Sequence, residues 1–591
     1  MNVSVEPCHD FYEYACGNYG NVKPEVRSSF YDINKITRDL VGMTDLAETL
    51  NVSVEFEVAQ RFYNTCLEAN LYPFHANDPA FLELIRSIGG FPAVDGAAWN
   101  ASNFSWFNMS AHMLNYGATG LYREELSPQH PFEASLGTSW LGFDAIANLK
   151  AVESASSHAF RVNEERMRGY LRSFELPEDR INNVIKGVFT FWLEAAAILG
   201  VGQYDTDFDV TNYFEIAWNK SNRTSVNNFY LVEMDKVCAR HPEAAANYLA
   251  MKLLYTFDAR LEASQNNNDY CTTKLRDSMP FLFDKLYLAV HFREEKSREI
   301  SEIVEELRKS LRALGNVDWL RSESRQKILL KESSLSSHVG SIEDKKLTDR
   351  LVREYRRLEI VKDNYAATII NLQRLKVEID RYSTRHSGEL PSNTKPQELL
   401  LAMQELAAYN PIDNSINILA GILHPPLYHQ SWPISMKFGA LGSIVGHELA
   451  HSVHTLSWFG VRCFVDFYSD YLVPEIDRYI NGEASVEENI ADNAGLQLAV
   501  AAYRSYRNES LEDQRMPGID LLPEQLFFLA FAQHYCSDYK EENYWMKLNS
   551  EHTIPKYRVL GSLSNNKDFF KAFNCAEGRG MRPYGGTCSS W

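Results

Sequence analysis

A chain of 591 residues is too long for one hydrophobic core, so two to four lobes are expected. Its 45% hydrophobic and 12% aromatic residues exclude a disordered protein, and no apolar run approaches the length that crosses a bilayer. The net charge of -19 argues against nucleic acid and anionic membrane surfaces, whose footprint would be a basic patch.

From Met1 to Cys8 the chain has neither the charged nor the apolar segment of a signal peptide. Asn-x-Ser/Thr sequons nevertheless occur at Asn2, Asn51, Asn100, Asn103, Asn108, Asn219, Asn222 and Asn508, and glycosylation requires secretion. Nine cysteines contain no C-x-x-C pair, which favours disulfides over a cysteine zinc cluster. These features predict an extracellular protein. It would be secreted, or the ectodomain of a single-pass plasma-membrane protein whose anchor or signal lies outside this sequence.

Apolar residues at three- and four-residue steps predict helices over Asp32 to Leu50 and Val54 to Ala69. Aromatics, glycine and sequons from Asn100 to Gln129 suggest loops and short strands. Helical spacing returns over Glu164 to Val201 and Asn227 to Ala259. It is plainest over Ser297 to Leu314, where Ile300, Ile303, Val304, Leu307, Leu311 and Leu314 share one side. The charge-rich stretch Glu343 to Lys376 reads as solvated helix, and the Pro/Ser/Asn-rich break from Pro391 to Pro396 as a boundary. Beyond it Ser415 to Leu419 alternates like a strand. An apolar helix around Val445 follows, then a second long helix from about Ser485 to Tyr506 with an acidic start.

The apolar helix carries His447-Glu448-Leu449-Ala450-His451. Residues four apart share a helix face, so His447 and His451 can offer two imidazoles to one zinc, with Glu448 beside them as general base. The plain alternative is a helix with two partly buried histidines. His454 lies on the same face, but its Cα is roughly 10 Å from that of His447, and no glycine turn precedes it. Glu488 is the better third ligand, and Asp492, one turn on, can accept the second ring N–H of a ligating histidine.

H-E-x-x-H followed by Glu488-Asn489-Ile490-Ala491-Asp492 resembles the signature of the neprilysin and endothelin-converting-enzyme family of zinc metalloendopeptidases. Cys8-His9-Asp10-Phe11 with Tyr14-Ala15-Cys16-Gly17, Ala420-Gly421-Ile422-Leu423 with Pro425-Pro426, Gln525 to Leu529 and the terminal Cys588 to Trp591 are similar to further family elements. The resemblance implies a mainly α fold with small β content. It would have two lobes: a thermolysin-like (gluzincin) catalytic lobe and a helical lobe enclosing a central cavity. The expected division is an N-terminal segment 1–45 tied by disulfides to the catalytic lobe, a mostly helical lobe 46–395 and the catalytic lobe 396–591. It also implies one Zn2+ per chain on His447, His451 and Glu488, with Glu448, Asp492 and His552 in catalysis and His552 stabilising the oxyanion. Arg558 would hold substrate backbone, Ala407 would contact the substrate, and Ile422, Leu427 and Ile444 would line an apolar pocket. Cleavage before hydrophobic residues of peptides is then expected, by a monomer or homodimer. The implied disulfides are Cys8–Cys575, Cys16–Cys536, Cys66–Cys271 and Cys463–Cys588, with Cys238 unpaired.

Three departures bear on activity. Leu406 stands where the family has an asparagine that hydrogen-bonds substrate main chain. The segment from His451 to Cys463 is short and lacks the usual acidic pair. An N-terminal arginine expected to meet the substrate C-terminus aligns with Phe30, with Arg27 nearby. A catalytically weak homologue that binds peptides without cleaving them is therefore the main rival. A zinc aminopeptidase is disfavoured, because its G-x-M-E-N strand is missing.

Overall fold

Apolar spacing becomes helix along most of the chain, giving 63% helix and 6% strand, a mainly α protein as expected. The computed structural model describes the chain except residues 23–31, 127–133, 140, 144–157, 199–205, 222–223, 315–321, 342–344, 387–400, 454–459, 510–514, 549 and 590–591. The break at Pro391 to Pro396, His454, Arg27, Phe30 and the sequon at Asn222 thus lie outside the described residues, as does the side chain of Asn508.

The chain folds as two compact units, both discontinuous. One comprises Met1–Ile36, Asp284–Glu343 and Leu400–Trp591, the other Thr37–Phe283 and Asp344–Leu399. This differs from the division expected along the sequence: residues 284–343, assigned there to the helical lobe, fold with the H-E-x-x-H unit. The reason is the apolar stripe itself. Ile300, Ile303, Val304, Leu307 and Leu311 are all buried in the same core as Val445, Leu449 and Leu498.

In the unit built around H-E-x-x-H, a short helix α1 (Phe11–Cys16) starts at Asp10, whose carboxylate caps the Glu13 N–H. Phe11 packs edge-on against Phe569 and Phe573, and Cys8–Cys575 and Cys16–Cys536 fasten the segment at both ends. Helix α2 (Glu294–Leu314) leads towards a three-stranded sheet of β1 (Ser336–Gly340), β2 (Ala407–Asn410) and β3 (Ser415–Leu419). Strand β3 is central, parallel to β1 with Ser336 opposite Ser415, and antiparallel to β2 with Ala407 opposite Ile418. It is buried on both faces, which its alternating pattern did not announce. Helices α3 (Ser443–Val453) and α4 (Val486–Glu509) follow. Helix α5 (Pro523–Gln533) packs against the segment 434–442 that leads into α3, and α6 (Pro555–Ser564) packs against α4. Cys463–Cys588 closes the C-terminal end, so all four implied disulfides form and Cys238 stays free and buried.

The other unit is a stack of helices around Trp192, Tyr213 and Tyr248, cross-linked by Cys66–Cys271. Two expectations are corrected here. Within Asn100 to Gln129 the expected short strand forms at Tyr122–Leu126, but the chain before it also forms a helix, Trp106–Leu114, capped by Ser105 and burying Trp106, Phe107, Met109 and Met113. Trp106 and Phe107, which suit a strand as well, are part of its buried side. Glu343 to Lys376 is not one solvated helix. It breaks into Lys345–Glu354 and Tyr365–His386 and buries Leu347, Leu351, Ile369 and Leu372 beneath its charges.

Candidate metal centre

Helices α3 and α4 meet at two glycines. A Cβ on Gly446 would lie 2.4 Å from Gly495 O, and one on Gly495 would lie 2.4 Å from His447 N. No side chain survives such a contact, so only this pair lets the two backbones touch. The touch point lies beside His447 and within two turns of Glu488, and it carries the candidate ligands of both helices to one place.

There His447 Nε2 lies 3.0 Å from His451 Nε2 and 3.2 Å from Glu488 Oε2, and His451 Nε2 lies 3.4 Å from Glu488 Oε1. These spacings are close to the roughly 3.3 Å edge of a tetrahedron with metal–ligand bonds of ~2.0–2.1 Å. The donor chemistry fits as well. His447 Nδ1 is 2.9 Å from Asp492 Oδ1, which keeps the proton on Nδ1 and leaves the Nε2 lone pair facing the cluster. Glu488 Oε2 is buried and, although imidazoles face it, makes no hydrogen bond of acceptable geometry. A buried acceptor among lone-pair nitrogens is what a bound cation satisfies, and the residues present fit zinc.

A fourth group joins them. His552 Nε2 lies 3.0 Å from Glu488 Oε2, and the ligating atoms of His447, Glu488 and His552 all lie within 4.8 Å of one another. His552 sits outside the helices with its side chain 46% exposed. Its neighbour Thr553 anchors that segment, donating through Oγ1 to Asn489 Oδ1 at 2.9 Å, so the residue after Glu488 holds the residue after His552.

Asp492 is buried and accepts from Arg558 through both Nε and Nη2, each at 2.6 Å, and from the Tyr535 hydroxyl at 3.3 Å. The Arg558 guanidinium also covers the Tyr535 ring, 4.9 Å from its centroid. Burial opposes ionisation of Asp492, but Arg558 and then His447 outweigh it and hold the carboxyl far below its usual range. Burial likewise opposes charge on His447, yet the hydrogen bond to Asp492 and the neighbouring carboxylates prevail and raise it to about 9. Glu448 behaves differently. Burial pushes its carboxyl up, against the nearby imidazoles, and its Oε2 accepts the Tyr409 N–H of β2 at 2.8 Å.

The residues expected to touch substrate are scattered more widely. Ala407 lies on the edge strand β2; Ile422 and Leu427 are half-buried against the core, and Ile444 is half-buried one turn before His447. Leu406 is spoken for on both sides: its carbonyl accepts from Leu419 N at 3.0 Å and its N–H donates to Gln404 O at 3.0 Å. Tyr409 and Tyr535 were missed by sequence reasoning. Tyr409 acts through its backbone, which leaves no residue-type signal. The only hint for Tyr535 is its place beside Cys536.

Comparisons with known proteins identify the family and the fold. Two models described as peptidase family M13 match the chain, one over residues 7–144 and 197–341, the other over 407–458 and 460–585. Neprilysin-2 of Drosophila melanogaster is 24% identical over 701 residues, covering 100% of this chain and 87% of its own. An endothelin-converting enzyme homolog of Locusta migratoria is 25% identical over 687 residues, covering 100% and 92%. The crystal structure of PepO from Lactobacillus rhamnosis superposes with a TM-score of 0.64 at 17% identity, over 98% of both chains, which establishes the fold. With family matches across most of its length, the chain belongs to peptidase family M13, the metallopeptidases of the neprilysin and endothelin-converting-enzyme type.

Proposed function

We propose that this protein is a zinc metalloendopeptidase that hydrolyses short extracellular peptides, on the amino side of hydrophobic residues. The observation that carries the reading is the convergence of His447, His451 and Glu488 within 3.4 Å, backed by the Asp492–Arg558 pair. His447, His451 and Glu488 would hold the zinc, because all three stand on helices; His552, half exposed and outside them, leaves the fourth position open. The ion would supply the Lewis acidity that polarises a peptide carbonyl and eases loss of a proton from water.

The remaining work falls to side chains. Glu448, buried and with a raised pKa, takes a proton from the attacking water and delivers it to the leaving amine. Tyr409 N–H fixes the orientation of that carboxylate. Asp492 holds His447 in the tautomer that presents Nε2. His552 donates to the oxyanion as charge develops. Arg558 gives two of its nitrogens to Asp492; among the described residues Nη1 makes no hydrogen bond and is left to hold a substrate carbonyl. Ala407 on the edge strand offers main chain to an extended peptide, and Ile422, Leu427 and Ile444 supply apolar surface. Four disulfides support an extracellular setting.

A second reading, peptide capture with little or no cleavage, draws on Leu406, which has no polar side chain for a peptide and whose N–H and carbonyl each already make a hydrogen bond within the protein. One experiment separates the two: zinc content and turnover of a quenched peptide library, for wild type and Glu448→Gln. Hydrolysis predicts one zinc in both proteins and a turnover lower by about 100- to 10,000-fold in the variant. Zinc-loaded wild type that binds peptides and cuts none would establish the second reading.

A further inference from the structure

A cleft of about 380 Å³ opens where the start of α2 meets the turn after β3, a size within the range of small-ligand sites. Its wall is rich in basic side chains in a chain of net charge -19. His291, Arg293, Lys296, His424 and His429 line it against one acid, Glu295. Glu295 is exposed to solvent, and two further acids beside the cleft are already engaged. Glu299 binds Lys437 and the Tyr428 hydroxyl, and Glu405 pairs with His424 Nε2 at 2.7 Å.

Lys296 is the least compensated of the group. Its Nζ donates to two neutral carbonyls, Leu423 O at 2.6 Å and His291 O at 3.3 Å, and lies 5.4 Å from the centre of the Tyr428 ring. An ammonium has three N–H donors, so one remains. Burial lowers its pKa to about 8, as befits a cation without a counter-charge. Arg293 is exposed and makes no side-chain hydrogen bond or ion pair among the described residues. At His429 the Ser431 N–H donates to Nδ1 at 3.2 Å, which places the proton on Nε2 and leaves it free to donate.

We propose that this cleft binds an oxyanion, a sulfate or phosphate group held by Arg293, Lys296 and His429, separately from the metal centre. A guanidinium fork, an ammonium and an imidazole N–H are the donors such a group takes, and the missing negative charge is what the anion brings. The anion could be free in solution or carried on a saccharide, and the recognition chemistry is the same.

The test is isothermal titration of the zinc-loaded protein at constant ionic strength, with inorganic sulfate and with a sulfated disaccharide as probes. It compares wild type, Arg293→Ser and Lys296→Met, each checked for an unchanged circular dichroism spectrum. One anion should bind per chain, weakening by about tenfold or more in each variant. A disaccharide that binds at least about tenfold more tightly than sulfate identifies the saccharide-borne group as the ligand; equal affinities identify the free anion. Arg293→Ser changes an exposed side chain, so it keeps the test decisive should Lys296→Met misfold. Absence of binding by both probes at about 10 mM, or affinities unchanged in Arg293→Ser, would overturn the proposal.

Discussion

The candidate metal centre has two halves of different construction. One half is built on helices: His447, Glu448 and His451 on α3, Glu488 and Asp492 on α4, locked by the contact of Gly446 with Gly495. The other is built on irregular or edge backbone: His552, tied down through Thr553, together with Ala407 and Leu406 around β2. A helix holds its side chains at a spacing that follows from chain geometry alone. Loops and strand edges place theirs through contacts distant in sequence. The helical half should therefore control whether zinc is held, and the other half how fast and on what the protein acts.

Substitutions can break or sharpen that contrast. The largest effect is expected from Asp492→Ala, which leaves Arg558 buried without its partner and frees His447. Unfolding free energy should fall by about 3–5 kcal/mol and zinc affinity by about 10- to 100-fold, read by denaturant titration and chelator competition. His552→Gln should leave zinc stoichiometry intact while lowering kcat by about 100-fold. Loss of zinc in that variant would move His552 into the ligand set and erase the distinction between the halves. Gly495→Ala inserts a methyl at the helix crossing and should cost about 1–3 kcal/mol in stability, with weaker zinc binding as the helices part. Unaltered zinc affinity there would show that the crossing does not set the ligand spacing.

The smallest effect serves as a control in the other unit. Lys252 is buried, donates to Gly120 O at 3.2 Å and Ser139 Oγ at 3.4 Å, and burial lowers its pKa to about 7. The unfolded lysine takes up its proton below about 10.5, the folded one only below about 7, so between these values the unfolded state binds more protons. Stability should therefore rise with pH across that window. Lys252→Met should remove the dependence and add about 1 kcal/mol at neutral pH, without touching zinc affinity.

Residues within one or two helical turns of each other declared themselves in the sequence. His447 with His451, Glu488 with Asp492 and the stripe from Ile300 to Leu311 follow from a period of 3.6, and the structure brings each set together. The disulfide partners were legible only through likeness to a family, since spacing does not pair cysteines. The helix at Trp106–Leu114 was obscured because aromatic and sequon residues suit loops and strands as readily as a buried helix.

By itself, then, the sequence determined the helical class of the protein and set His447 beside His451 and Glu488 beside Asp492, because both depend on local periodicity. Only the tertiary structure decided that 284–343 fold with the H-E-x-x-H unit, that two glycines set the helix crossing, and that backbone at Tyr409 steadies Glu448 while backbone at Leu406 bonds within the protein. Those outcomes rest on contacts between segments tens to hundreds of residues apart, and on peptide groups that every residue shares.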